Sequence, residues 1–270
     1  MRVRAPASIA NIGPGFDCFA MAIDLWLEVE AVPAESPAWD YEGEGAEYLM
    51  SHVNPFSHLA MRGRVRSEIP MGVGLGSSAA ARLAASALAS PWDVKSHVIN
   101  AGQREGHVDN VAASASGGIR IVSEKVDEKL PNPGWGIALF VAHQPVPTEK
   151  ARAVLPDSVS LADASFNAAR TALLVRAILS KRASLLGEAL RDRLHQPHRL
   201  HLYPWTEEVI RVAEAAGAYG AGICGAGPSV FAFCAPSQAN RIAKAMEQSH
   251  PLRGRALVTR ITDKGMFRTL

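Results

Sequence analysis

The residues best suited to chemistry are gathered in PMGVGLGSSAA, Pro70 to Ala80, which holds three glycines and two serines. Glycine lets a loop take positive φ and bring its N–H groups close to a guest, and Ser77 and Ser78 stand where a helix would begin. N–H groups converging on a helix N-terminus carry partial positive charge, so the natural guest is a phosphate. The loop is not a Walker A motif, because the residue before Ser78 is Ser77 and not lysine. It is not a hydrolase nucleophile elbow either, since Ala79 stands where that motif needs glycine. A glycine-rich turn ahead of a closely packed small-residue helix is the plain alternative.

Two charged side chains fall on apolar helix faces. In a helix from Asp93 to Glu105, Glu105 shares a stripe with Val94, Val98 and Ala101. A carboxylate there needs a cation, and either a lysine or arginine partner or Mg²⁺ held jointly with phosphate oxygens would serve. In FNAARTALLVRA, Arg170 shares its face with Phe166, Leu173 and Leu174, so it calls for a planar anion. That anion is either a ligand or a protein Asp or Glu. HQPHRLHLYP adds Arg199 in a proline-flanked segment that reads as a loop. HVDNVAASASGG places Asp109 and Asn110 in a turn entering a further element, and GAGICGAGPS is a second glycine-rich loop in the other half of the chain. Two such loops in different domains would face one cleft.

The elements that must carry these groups follow from hydrophobic period. AIDLWLEVEAV alternates as a strand, and MRGRVR reads as the solvated edge of one. Ser77–Ala89 and Asp93–Glu105 read as helices, and GGIRIVSE as a strand opened by two glycines. LPNPGWG, Leu130 to Gly136, is the expected domain boundary, giving domains 1–133 and 134–270. Beyond it come the strand IALFVAH, helical material from Ala162 to about Arg193, a helix at Thr206–Ala216, two strands around GAGPSVFAF, a helix at Ser237–Gln248 and the strand ALVTRIT. This order predicts an α+β sandwich with a mostly antiparallel sheet.

The 270 residues are 48% hydrophobic and 20% charged, which suits an ordinary globular protein with ample core. A net charge of +2 with scattered arginines does not suggest nucleic acid as a partner. Cys18, Cys224 and Cys234 make a poor disulfide framework, and no apolar run is long enough for a signal peptide or a membrane span, so a cytoplasmic protein is expected. No feature encodes an oligomeric state, and a homodimer stays open.

Together the motifs resemble the GHMP small-molecule kinases, and among these the homoserine kinase family, over nearly the whole chain. APASIANIGPGFD, PMGVGLGSSAAA and GAGICGAGPSVFAF are similar to the three GHMP motifs. GFD at Gly15 to Asp17, HVDNVA, TEKARAVLP and LHQPHRLHLYP are similar to the narrower family. The resemblance implies an N-terminal domain like the second domain of ribosomal protein S5 and a ferredoxin-like C-terminal domain. It implies that Pro70, Gly72, Gly74, Leu75, Gly76, Ser77, Ser78 and Ala79 bind ATP and that Ser78 and Glu105 hold Mg²⁺. It further implies that Asn11, Asp17, His107, Asp109, Asn110 and Gly225 line the pocket for L-homoserine, with Arg170 and Arg199 gripping its carboxylate. Asp17, Asn110 and Glu105 would be catalytic. The expected reaction is ATP-dependent phosphorylation of the homoserine hydroxyl. Alternatives are another alcohol such as threonine or mevalonate, or a ligand sensor without turnover. Ile9, Ala20, Cys224 and a short 34–66 region depart from the family pattern.

Overall fold

The alternating side chains of FAMAIDLWLEVEAVP build one long strand around which the first half of the chain is organised. The computed structural model describes residues 1–123 and 125–269. Strands β1 (Arg2–Ala10), β2 (Phe19–Pro33), β3 (Ala38–Gly43), β4 (Met61–Ser67), β5 (Ile119–Val122) and β6 (Asp127–Leu130) form the first sheet with the returning β11 (Phe267–Thr269). Its order is β11-β1-β2-β4-β3, with β5 on the free stretch of β2 and β6 on β5. Among the described residues of this sheet, only the β3–β4 pair is parallel. β4 lies inside the sheet, between β2 and β3. Its arginines Arg62, Arg64 and Arg66 project from one exposed face while Val65 is buried on the other.

Helices α1 (Ala46–Ser51), α2 (Ser77–Ala89), α3 (Val94–Glu105) and α4 (Asp109–Ser116) belong to this half. α2 and α4 pack on β1 and β2, and α3 packs on α2 and α4. The alanines of α2 explain the close approach, since Ala79, Ala80, Ala84 and Ala87 are fully buried. Asp93 caps α3 through the N–H groups of Lys95 and Ser96.

The second sheet comprises β7 (Gly136–Ala142), β8 (Gly220–Ile223), β9 (Val230–Cys234) and β10 (Gly254–Arg260), in the order β10-β7-β9-β8 and antiparallel throughout. Helices α5 (Thr148–Ala153), α6 (Leu161–Ser180), α7 (Leu186–Ala189), α8 (Gln196–Arg199), α9 (Trp205–Ala215) and α10 (Ala239–Ser249) complete the chain. β7 is buried on both faces. Ala138 and Phe140 meet α9 and α10, whereas Ile137, Leu139 and Val141 join the core of the first half. One core thus crosses the Leu130–Gly136 segment, and the chain's end re-enters the first sheet by pairing β11 with β1. The segment 196–199, read as a loop, is a short helix, and 148–153 is another. No helix among the described residues is long and apolar enough to cross a membrane.

Candidate active site

The glycine loop takes the form its composition allows. Gly72, Gly74 and Gly76 have φ of 72°, 87° and 70°, while the intervening Val73 and Leu75 are buried and anchor the turn. Gly76 precedes α2, and no side chain caps that helix, so its first N–H groups remain for a guest. The loop is wedged tightly: a Cβ on Gly74 would lie 2.1 Å from the Cys224 carbonyl oxygen, and one on Gly76 would lie 2.2 Å from Ser8 Oγ. The two glycine-rich loops therefore touch one another.

At the start of α2, Ser78 Oγ donates to Glu105 Oε2 at 2.9 Å. Glu105, at the end of α3, is 14% exposed, and the cation its position calls for is Arg82, whose Nε stands 2.7 Å from the same oxygen. A hydroxyl and a carboxylate converging beside a bare helix N-terminus are hard oxygen donors of the kind Mg²⁺ takes together with phosphate, so the residues present fit that ion.

Beyond Gly106 begins a charged cluster. Asp109 Oδ1 lies 3.0 Å from His107 Nδ1 and accepts the N–H of Asn110 at 2.7 Å. The hydrogen bond to Asp109 raises the His107 pKa above its ordinary value, opposed by burial. Asp109 Oδ2 is buried without a partner among the described residues. Asn110 Oδ1 accepts from Ser8 Oγ at 2.9 Å, which leaves its amide to donate elsewhere. Asn11 and Asp17 are both left-handed, at φ 54° and 53°, and Asn11 Oδ1 accepts the Asp17 N–H. Arg152 of α5 then grips Asp17 with both ends of its fork, at 3.0 and 2.6 Å, and bears electrostatically on His107.

Arg199 is fully buried. Its Nε donates to the Ala151 carbonyl and its Nη1 to that of Gly225, which fixes α5 and the second glycine loop against α8. Nη1 also meets His195 Nδ1 at 3.1 Å. A guanidinium can only donate, so His195 is a neutral imidazole whose Nε2–H donates to the Gly13 carbonyl at 2.7 Å. Asp192 holds this turn by accepting from the N–H groups of Leu194, His195 and Gln196 and from the Asn167 amide.

Burial lowers the pKa of His195 and also of His97. For such groups the unfolded chain takes up protons first as pH falls through about 6.5, so the folded state loses stability from there downward. His107 has the opposite sign: its contribution is complete below that pH and fades as pH rises through its raised folded value. With two groups against one, the melting temperature is expected to fall as pH drops from 7 toward 5, and His97→Asn is expected to flatten the slope. A variant slope as steep as the parent's would contradict this assignment.

Asn11 with Asp17, His107 with Asp109 and Asn110, and Arg199 with Gly225 thus form three bonded sets that bear on one another electrostatically, and Ser78 and Glu105 join each other. Arg170 differs. It forms an ion pair with Glu188 and lies 3.5 Å over the Phe166 ring, with no bond to Asp17, Asp109 or Asn110 among the described residues. Of the two partners its position allowed, the structure supplies the protein carboxylate. The guanidinium that pairs with Asp17 is Arg152, which sequence reasoning passed over although it lies within TEKARAVLP.

The GHMP kinases N terminal domain family matches residues 43–118, and the GHMP kinases C terminal family matches residues 174–252. A homoserine kinase of Thermus thermophilus is 40% identical over 276 residues, covering 95% of this chain and 94% of that protein. A homoserine kinase of Caldanaerobacter subterraneus is 36% identical, covering 94% and 89%. The crystal structure of homoserine kinase from Cytophaga hutchinsonii superposes with a TM-score of 0.83 at 26% identity, covering 99% and 96%. Mevalonate kinase of L. major shares the fold at a TM-score of 0.77 and 12% identity, covering 98% and 97%. The chain belongs to the homoserine kinase family, within the two-domain GHMP kinases.

Proposed function

We propose that this chain transfers the terminal phosphoryl group of ATP to the hydroxyl of L-homoserine. The observation that carries the reading is the continuity of two sites. An N–H-rich loop ends at Ser78, Ser78 bonds Glu105, and Glu105 stands two residues before His107, which opens a cluster of paired opposite charges. The substrate is a zwitterion. Its carboxylate suits Arg152 with Arg199 behind it, and its ammonium suits Asp17 and the unpartnered Asp109 Oδ2. Bound there, the substrate would exchange its two charges for those of the Asp17–Arg152 pair, so no charge would be left without a partner. The free Asn110 amide would orient the hydroxyl.

Phosphoryl transfer rests on alignment and charge neutralisation, and this chain's share is positioning. The loop from Pro70 to Ala79 would hold phosphate oxygens with main-chain N–H groups, and Ser78 with Glu105 would hold Mg²⁺. When bound, that ion neutralises charge on the phosphates. Released from Arg152 as the substrate binds, Asp17 would hold the ammonium and orient the substrate. Three free thiols support a reducing, cytoplasmic setting, and burial raises the pKa of each, that of Cys234 to about 11.

A coupled ADP-release assay tests the substrate. L-homoserine is expected to exceed mevalonate by about a hundredfold or more in kcat/KM, because mevalonate brings no cation to Asp17 and Asp109. Faster turnover of mevalonate would reject the reading.

A further inference from the structure

Glu105 and Ser78 already hold a cation of the protein's own. Arg82 follows Ser78 by one turn of α2, so its side chain reaches back over the same face. Its Nε lies 2.7 Å from Glu105 Oε2 and 3.3 Å from Ser78 Oγ. The contact is single-ended: Nη1 and Nη2 make no hydrogen bond among the described residues. The side chain is 32% exposed and borders a cavity of about 680 Å³ lined also by His58, Asn100 and Arg104. A guanidinium held by one nitrogen, with open space beside it, can move.

We propose that Arg82 is an exchangeable counter-ion. It neutralises Glu105 in the nucleotide-free protein, releases the carboxylate to the divalent cation that arrives with the nucleotide, and takes a phosphate oxygen in return. The proposal rests on the assignment of Ser78 and Glu105 to the metal. Its physical basis is charge balance. One carboxylate and one hydroxyl are a thin ligand set for a strongly hydrated ion, and with Arg82 in place the site is already neutral, so free metal gains little. A triphosphate changes both sides at once, giving the metal further oxygens and the guanidinium a stronger partner. Metal and nucleotide binding are thereby made mutually dependent.

The test is divalent binding without nucleotide, read as loss of the free Mn²⁺ signal in electron paramagnetic resonance. The parent protein is expected to leave the Mn²⁺ signal nearly unchanged, and R82K, which keeps the charge, to behave likewise. R82Q is expected to bind Mn²⁺ about tenfold more tightly, the equivalent of about 1.4 kcal/mol, and R82Q/E105Q to lose that binding. Melting temperatures supply an independent readout. R82Q and E105Q should be non-additive in the nucleotide-free protein and additive with Mg²⁺ and a non-hydrolysable ATP analogue present. R82Q that binds Mn²⁺ no better than the parent, or non-additivity that persists with the analogue, would overturn the exchange and leave Arg82 a fixed structural partner. If instead E105Q leaves the Mg²⁺ dependence of analogue binding unchanged, the metal assignment itself fails, and the exchange with it.

Discussion

Arg152→Ala is expected to lower kcat/KM for L-homoserine by about two to three orders of magnitude while leaving the KM for ATP within about threefold. Each hydrogen bond to a charged group contributes roughly 1.5–3 kcal/mol, and Arg152 offers two in a fork. Its side chain is 36% exposed, so the lower part of that range applies, about 3–4 kcal/mol in all at 1.4 kcal/mol per decade. The variant should also lose selectivity. 3-Aminopropan-1-ol is homoserine without its carboxylate, and the parent enzyme should discriminate against it strongly while Arg152→Ala should not. Lysine at 152 restores charge without the fork and should recover only part of the loss. Equal losses against homoserine and the amino alcohol would show that Arg152 merely supports α5.

Arg170→Ala is the informative companion. With Glu188 and the Phe166 ring as its partners, Arg170 ties α6 to α7, and its loss should appear in melting temperature before it appears in KM. The sequence could not separate these two arginines by period alone. Arg170 lies in the twenty-residue helix Leu161–Ser180, where an apolar face is plain, and the pattern says that it needs an anion without saying which. Arg152 lies in a helix of six residues, too short to display a face, and its partner Asp17 is 135 positions away. Burial at Arg199 was hidden for the same reason, because four helical residues with a proline among them read as a loop.

Other parts were legible because their cause is local. Glu105 stood out by sharing a helical stripe with Ala101, and its ion pair with Arg82 answers the cation requirement read from that stripe. The strands β2 and β7 and the helices α2, α3 and α10 declared themselves by alternation, alanine content or helical spacing. Sheet order did not. The arginines of Met61–Ser67 mark an exposed face, and an exposed face occurs on interior strands as well as on edges, so β3 lying parallel outside β4 left no mark in the pattern. The return of Phe267–Thr269 to β1 is likewise a pairing between chain ends that no local period encodes.

The glycine loop makes a stronger demand than positive φ, and Gly74→Ala should reveal it. At φ 87° an alanine costs roughly 1–2 kcal/mol. Gly134, at φ 80° with nothing within 4 Å of where an added Cβ would sit, isolates that strain, and Gly134→Ala should lower the melting temperature by about 2–4 °C for a chain of this size. At Gly74 the added carbon would meet the Cys224 carbonyl oxygen at 2.1 Å, and both partners are backbone, so one loop must shift. Overpacking of this kind costs about 1–3 kcal/mol beyond the strain, for a total fall of about 4–10 °C. The shift also reaches both substrates. The displaced strip carries the N–H groups offered to phosphate on one side and the Gly225 carbonyl that holds Arg199 on the other, so the KM for ATP and the KM for homoserine should rise together. A Gly74→Ala protein that melts with Gly134→Ala and keeps both KM values would mean that the two loops are not the single rigid unit their contact implies.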